Sequence, residues 1–130
     1  MSEAQEQIAV MRWAELQSHK YPELNLLFHI PNGSNKSKAQ AGLFKAMGLR
    51  AGVPDLFLPV ARGKFHGLFI EMKTNKGRPS KAQLEWLEAL REQGYGAVAC
   101  YGFENAIATI KVYLSGEEDE EDLTIAEENT

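Results

Sequence analysis

The sequence predicts an α/β protein in which helices flank both faces of a mixed central β-sheet. Amphipathic helical segments alternate with short apolar runs that are bounded by turn residues. A helix also separates the last two apolar runs, so those strands can pair in parallel through a crossover. With 130 residues, 44% hydrophobic and 25% charged, the chain is typical of a single globular domain.

The first part of the chain predicts two helices with one strand between them. Ser2 and Gln5 form a capping-box pattern that opens a helix over residues 3–18. The run NLLFHI, residues 25–30, predicts a short buried strand that ends at a proline. A second helix follows in SKAQAGLFKAMG, residues 37–48.

The second part predicts a hairpin, a helix, a strand and a last helix. A second capping-box pattern, Ser80 with Gln83, opens the helix, whose leucines form an apolar stripe. The segments in order are DLFLPV (55–60), HGLFIEMK (66–73), KAQLEWLEALREQ (81–93), GAVACY (96–101) and ENAIATIKVYL (104–114).

The net charge of −4 conceals an uneven distribution of charge. Residues 117–130 carry eight acidic residues and no basic one, which leaves residues 1–116 with a net charge of +4. We therefore expect one domain over 1–116 and a disordered acidic tail over 117–130. A sharper alternative is a tail that lies over the basic surface and competes with a polyanion.

Cysteine usage and hydropathy exclude several classes of protein. Cys100 is the one cysteine, so an intramolecular disulfide and a cysteine-rich zinc site are excluded, and we expect a reduced core residue. No apolar run has the length of a membrane span, and the N-terminus is polar and unlike a secretory signal. We expect a cytoplasmic protein without a membrane partner.

Charged residues end both strands of the predicted hairpin. Glu71 and Lys73 lie on the same face of one strand, about 7 Å apart, because side chains alternate along a strand. If residues 62–64 form a three-residue loop, the register brings Asp55 directly opposite Glu71, with β-carbons roughly 5 Å apart. A slip by one residue would turn Asp55 toward the core.

Two opposed carboxylates repel each other, so they require a cation or a shared proton. Lys73 supplies one positive charge, and a divalent metal would supply two. Oxygen ligands are preferred by Mg²⁺ and Mn²⁺, which leave other positions to water and phosphate oxygens. The pattern favours a metal site at Asp55 and Glu71; a salt-bridged hairpin end without catalysis is the alternative.

At these residues the sequence resembles the PD-(D/E)XK nuclease superfamily. Pro54 and Asp55 are followed, after a gap of 15 residues, by Glu71, Met72 and Lys73. Each motif alone is a weak signal, but the two in this order and strand context form a fairly strong one.

More narrowly, the sequence resembles the VRR-NUC family of virus-type replication-repair nucleases, in particular stand-alone members encoded by phages and bacteria. The segments HIPNGS, GVPDLFL, GLFIEMKT, QLEWLEAL and GYGAV carry this resemblance, which covers about residues 3–114.

The resemblance implies a restriction-endonuclease-like fold and Mg²⁺- or Mn²⁺-dependent hydrolysis of phosphodiester bonds in DNA. It also implies a homodimer that cuts branched DNA such as four-way (Holliday) junctions, a role in DNA repair. Two alternatives are a non-catalytic nucleic-acid-binding module on a nuclease fold and a nuclease for linear duplex DNA.

Roles for the site residues follow from the metal chemistry and the resemblance. Asp55 and Glu71 are expected to bind the metal, with the backbone carbonyl of Met72 as a further ligand. Lys73, beside two carboxylates, is expected to stay protonated, to orient the attacking water and to stabilise charge on the phosphorus. Gln83 matches a family position that faces the active site, although its capping role explains it equally well.

An acid from the first helix often completes such sites. Glu6 is the candidate here because Val10 and Trp13 lie on its side of the helix, and Glu3 is the alternative. A third possibility is that both acids are merely solvated.

Candidate nucleic-acid contacts flank the acid pair on both sides in sequence. They are His29, Asn32, Lys36, Lys38, Lys76, Arg78 and Lys81, with Lys45 and Arg50 as further members of a basic rim. Each lysine or arginine alone is more typical of a solvated surface charge, and a packed histidine or a turn asparagine explains the first two equally well.

Overall fold

The computed structural model describes residues 1–32 and 37–116, and these ranges contain four α-helices and a four-stranded sheet. The elements are helix α1 (Glu3–Gln17), a 3-10 helix (Pro22–Leu26), strand β1 (Phe28–His29), helix α2 (Lys38–Ala46), strands β2 (Leu56–Leu58) and β3 (Leu68–Lys73), helix α3 (Lys81–Glu92), strand β4 (Gly96–Tyr101) and helix α4 (Phe103–Ser115). The predicted order of helices and strands is confirmed. The predicted acidic tail, residues 117–130, lies outside the described residues.

Three of the helices begin with a capping box. In each, a serine hydroxyl accepts a hydrogen bond from the backbone N–H of a glutamine three residues later, and that glutamine's side chain accepts one from the serine N–H. The pairs are Ser2–Gln5, Ser37–Gln40 and Ser80–Gln83. Two were predicted from sequence, and the third has the same S-x-x-Q pattern.

The sheet is mixed, as predicted. Its strand order is β1-β2-β3-β4, with antiparallel pairing across the first three strands and parallel pairing between β3 and β4. Helix α3 is the crossover between the two parallel strands.

The register of the hairpin is the predicted one, but its turn is not. Leu56 pairs with Ile70 and Leu58 with Leu68, and one further step along this register sets Asp55 against Glu71. The tip is a two-residue turn between Arg62 and Phe65, whose backbones exchange two hydrogen bonds, so the predicted three-residue loop is wrong.

A kink at Pro59 explains why the predicted register is observed although the turn is shorter than predicted. The backbone N–H of Val60 turns back to the carbonyl of Leu58, at 2.9 Å. This bend absorbs one extra residue on the β2 side of the hairpin, and the extra residue compensates for the shorter turn. Gly63, at φ 53°, supplies the left-handed conformation that the tight turn requires.

The first strand also differs from its prediction. In place of a buried strand over residues 25–30, β1 has two residues, both exposed, and a 3-10 helix precedes it. The cause is its place at the edge of the sheet, where it pairs with β2 alone. The leucines before it, Leu24 and Leu27, are the ones that enter the core.

Helices cover both faces of the sheet, as predicted. α1 and α4 pack on one face, whose core side chains are Leu56, Leu58, Leu68, Ile70, Met72, Val98 and Cys100. α3 packs on the other face, where Leu87 contacts a smaller cluster with Ala97 and Ala99. Cys100 is a buried, reduced core residue, as expected, and its Sγ lies 3.6 Å from Oγ1 of Thr109. Within the described ranges, no helix has the length and apolarity needed to cross a membrane.

Gly67 provides a test of the hairpin packing. A β-carbon at this position would lie 2.8 Å from the Phe57 ring and 3.1 Å from the carbonyl oxygen of Leu58. Phe57 is itself stacked on Phe69, with ring centroids 4.1 Å apart, so it cannot easily move away. We expect Gly67→Ala to lower the free energy of unfolding by about 1–3 kcal/mol, measured by urea denaturation.

The control is Gly42→Ala, inside α2, where a β-carbon meets nothing within 4 Å. It should leave stability unchanged or raise it by up to about 1 kcal/mol, because alanine favours helix. A Gly67→Ala variant as stable as the parent protein would contradict the close packing.

Candidate active site

Asp55 lies at the point where β2 and β3 separate. It directly precedes β2, and its carboxylate Oδ2 accepts the backbone N–H of Met72 at 2.7 Å. Its carbonyl oxygen accepts the N–H of Ile30 at 2.7 Å and the Nδ1–H of His29 at 2.8 Å. The side chain thus replaces a missing sheet hydrogen bond while it faces β3.

Glu71 lies on β3, beside Asp55, and is 1% exposed. Its Oε2 accepts a hydrogen bond from Nε2 of Gln83 at 3.2 Å and lies 3.4 Å from Nζ of Lys73. Its other oxygen, Oε1, is buried without a hydrogen-bond partner among the described residues. The structure therefore brings together Asp55, Glu71, Lys73 and Gln83, the four predicted catalytic residues.

The buried acid pair is electrostatically unfavourable. Burial, and after it the charge of the neighbouring Asp55 carboxylate, together raise the pKa of Glu71 from 4.5 to about 8. The ammonium group of Lys73 opposes this shift only in part. Near neutral pH, the site without a cation therefore favours a proton on Glu71.

The helix-one acids have different partners. Oε1 of Glu3 lies 3.6 Å from Nζ of Lys73, so this acid reaches the site. Oε2 of Glu6 accepts the N–H of Phe103 at 2.6 Å and thereby caps α4, whose N-cap Gly102 has no side chain to do so. Glu6 as a metal ligand stays a prediction, and Glu3 is the helix-one acid in contact with the site.

A cavity of about 330 Å³ lies between the start of α1 and the loop that follows β3. It is lined by Met1, Glu6, Thr74, Asn75 and Lys76. Glu6 thus lines this cavity and also caps the start of α4.

The acid pair fits Mg²⁺ or Mn²⁺. Asp55 and Glu71 offer carboxylate oxygens, and the orphaned Oε1 with the raised pKa favours a cation at that position. Within residues 1–32 and 37–116, no three or more His, Cys, Asp or Glu side chains form a cluster. Two carboxylates, with backbone, water and phosphate oxygens for the remainder, are a usual set for Mg²⁺. The carbonyl of Met72 as a ligand stays a prediction.

The candidate nucleic-acid contacts are exposed where the structure describes them. His29 and Asn32 lie on β1 and just after it, Lys38 opens α2, and Lys81 opens α3. Lys45, Arg50, Lys76 and Arg78 are exposed as well, and Lys36 lies outside the described residues. Their contacts with DNA stay predictions.

Two contacts at the site were missed by sequence reasoning. One is the bond from His29 to the carbonyl of Asp55, and the other is the bond from the N–H of Met72 to the Asp55 carboxylate. The second had a signal, because a strand that begins just after Asp55 leaves a donor on β3 to be satisfied. The bond from His29 could not be found in this way, because its acceptor is a backbone oxygen, which no pattern of side chains indicates.

Comparison with known proteins places this arrangement in a family. The family model for the VRR-NUC domain matches residues 1–104, which contain all four residues of the acid site. A solved structure described as a VRR_NUC domain protein is similar to this chain with a TM-score of 0.77 and 36% sequence identity, over 92% of this chain and 94% of that one. Comparison with curated proteins gave no match. The chain belongs to the VRR-NUC domain family and has its nuclease-type fold.

Proposed function

We propose that this protein is a Mg²⁺- or Mn²⁺-dependent endonuclease that hydrolyses phosphodiester bonds in DNA. The observation that carries the proposal is the buried Glu71 against Asp55, with a pKa of about 8 and one carboxylate oxygen without a partner. If the hairpin end were only a salt bridge, Lys73 would be expected to neutralise both carboxylates. Lys73 instead contacts one oxygen of the pair, Oε2 of Glu71. Membership of a nuclease-type family supports the same chemistry.

Each residue of the site has a distinct task in this proposal. Asp55, Glu71 and the carbonyl of Met72 would hold the metal, which supplies a polarised phosphoryl oxygen and a bound water of lowered pKa. Lys73 offers its ammonium group to the attacking water and to the charge that develops on the phosphate. Gln83 holds Oε2 of Glu71 and so keeps the carboxylate turned toward Asp55.

Glu3 places Lys73. Oε1 of Glu3 lies 3.6 Å from Nζ of Lys73 and Oε2 of Glu71 lies 3.4 Å from it, so the ammonium group contacts one acid of α1 and one acid of β3. Glu3 is about half exposed, whereas Lys73 is buried, so this ion pair contributes position more than stability.

The proposed substrate is branched DNA, such as a four-way junction, cut by a homodimer that presents two sites to two strands. Exposed basic residues on the segments before β2 and after β3 flank the acid pair in sequence and would provide contacts for phosphates. Branch selectivity and the homodimer come from the family resemblance. Linear duplex DNA is the competing substrate.

Cleavage of labelled DNA tests the reaction and its substrate. The parent protein should cut a four-way junction with Mg²⁺ or Mn²⁺, and EDTA should abolish cutting. Glu71→Gln should lower the cleavage rate by about 10³-fold or more, because the metal would lose a buried ligand. Glu88→Gln, an exposed glutamate on α3, is the matched control and should cut normally.

Flap, linear duplex and single-stranded DNA belong in the same assay. Equal cutting of all duplexes would retain the chemistry and remove branch selectivity. Binding to DNA without cutting in either metal would favour the non-catalytic binding module, and cutting in EDTA would contradict the metal dependence.

The raised pKa of Glu71 also predicts how stability depends on pH. Between about pH 4.5 and pH 8 the folded, metal-free protein holds a proton on Glu71 that the unfolded chain has lost. The stabilising contribution is therefore complete below pH 4.5 and disappears as the pH rises through 8. Since one pH unit is worth about 1.4 kcal/mol per proton, the loss should amount to several kcal/mol.

Urea denaturation in EDTA from pH 5 to pH 8.5 measures this loss, with Glu71→Gln as the control that lacks the titration. The parent protein should lose stability relative to the variant as the pH rises. Added Mn²⁺ should restore it, by about 2.7 kcal/mol at 100 times its dissociation constant. Parallel pH profiles for the two proteins would contradict the buried acid pair.

A further inference from the structure

Asp55 is held by hydrogen bonds outside the regular ladder of the sheet. Its residue precedes β2, so the β2–β3 pairing does not include it. Its carboxylate bonds to the N–H of Met72, and its carbonyl oxygen accepts two donors, the N–H of Ile30 and Nδ1–H of His29. The bond from His29 is the one of these three that a side chain donates.

This hydrogen bond determines the tautomer of the His29 ring. A carbonyl oxygen can only accept a hydrogen bond, so Nδ1 carries the proton and, in the neutral ring, Nε2 is an acceptor. His29 is exposed on the edge strand β1, so the hydrophobic core does not fix its orientation. The bond to Asp55, at 2.8 Å, does.

We propose that His29 is a positioning residue that acts through the backbone of Asp55, an inference that rests on the proposed metal-dependent function. Asp55 directly precedes β2, so the regular pairing of β2 with β3 does not restrain its backbone. Beside the N–H of Ile30, the imidazole gives β1 a second hydrogen bond to the Asp55 carbonyl and so restrains the Asp55 backbone. The carboxylate oxygens of Asp55 and Glu71 are then already in position when a metal binds.

Two substitutions separate this role from a direct contact with DNA. Asparagine places its Nδ2–H as many bonds from the backbone as Nδ1 of histidine, so His29→Asn keeps the donor to Asp55. Glutamine instead places Nε2 at the distance of histidine Nε2, so His29→Gln keeps a group that could reach DNA and removes the donor to Asp55. His29→Ala removes both.

The measurement is Mn²⁺ affinity by calorimetry without DNA, followed by the kinetics of junction cleavage. His29→Ala and His29→Gln should bind Mn²⁺ about tenfold more weakly than the parent protein, and His29→Asn should bind almost as tightly. Cleavage by the first two should show a lower kcat at saturating DNA with an unchanged KM. Normal Mn²⁺ affinity in His29→Ala, or rescue by glutamine in place of asparagine, would overturn the inference.

Nuclear magnetic resonance tests the contact without any metal. The ¹⁵N signals of the neutral His29 ring should report the tautomer with hydrogen on Nδ1, and a tautomer with hydrogen on Nε2 would overturn the inference by itself. Failure of the proposed function is distinguishable: the parent protein would then bind no Mn²⁺. Equal binding by the parent protein and His29→Ala would instead refute only the role of His29.

Discussion

The hydrogen bond from the backbone N–H of Met72 to the carboxylate of Asp55 determines where the groups of the site can lie. Regular pairing of β2 and β3 stops one residue short of Asp55, and the carboxylate takes over as the acceptor for the next donor on β3. This substitution holds an acid against the middle of the sheet. Glu71, the residue before Met72, is thereby brought beside a like charge in a buried position.

The fold supplies the rigidity that such a pair needs. β3 is a central strand, paired on both sides, and Ile70 and Met72 anchor its opposite face in the main core under α1 and α4. Gln83, on the first turn of α3, and Glu3, on the first turn of α1, reach the site from helices on opposite faces of the sheet. The acid pair therefore lies among groups that are held by the central strand and by two helices. Such a fixed arrangement is the preorganisation that a metal site requires.

Sequence reasoning predicted the order of the elements and the opposition of Asp55 to Glu71, because strand alternation and helix capping are local signals. It was wrong at the hairpin tip. The turn there is one residue shorter than predicted, and one extra residue on the β2 side compensates for the difference. The choice of Glu6 over Glu3 stays a prediction: Glu6 is buried and caps the start of α4, and Glu3 lies 3.6 Å from Lys73. The bond from His29 to a carbonyl could not be predicted, because it depends on the path of the backbone at the site.

Glu71 is a buried acid beside a like charge, and its own titration shows whether a cation takes the place of its proton. The side-chain carboxyl ¹³C signal of Glu71, followed with pH in metal-free protein, should titrate near pH 8. Saturating Mg²⁺ should move the titration to a much lower pH, because the metal replaces the proton. A titration near 4.5 without metal would contradict the buried acid pair, and one that Mg²⁺ leaves unchanged would contradict the metal site.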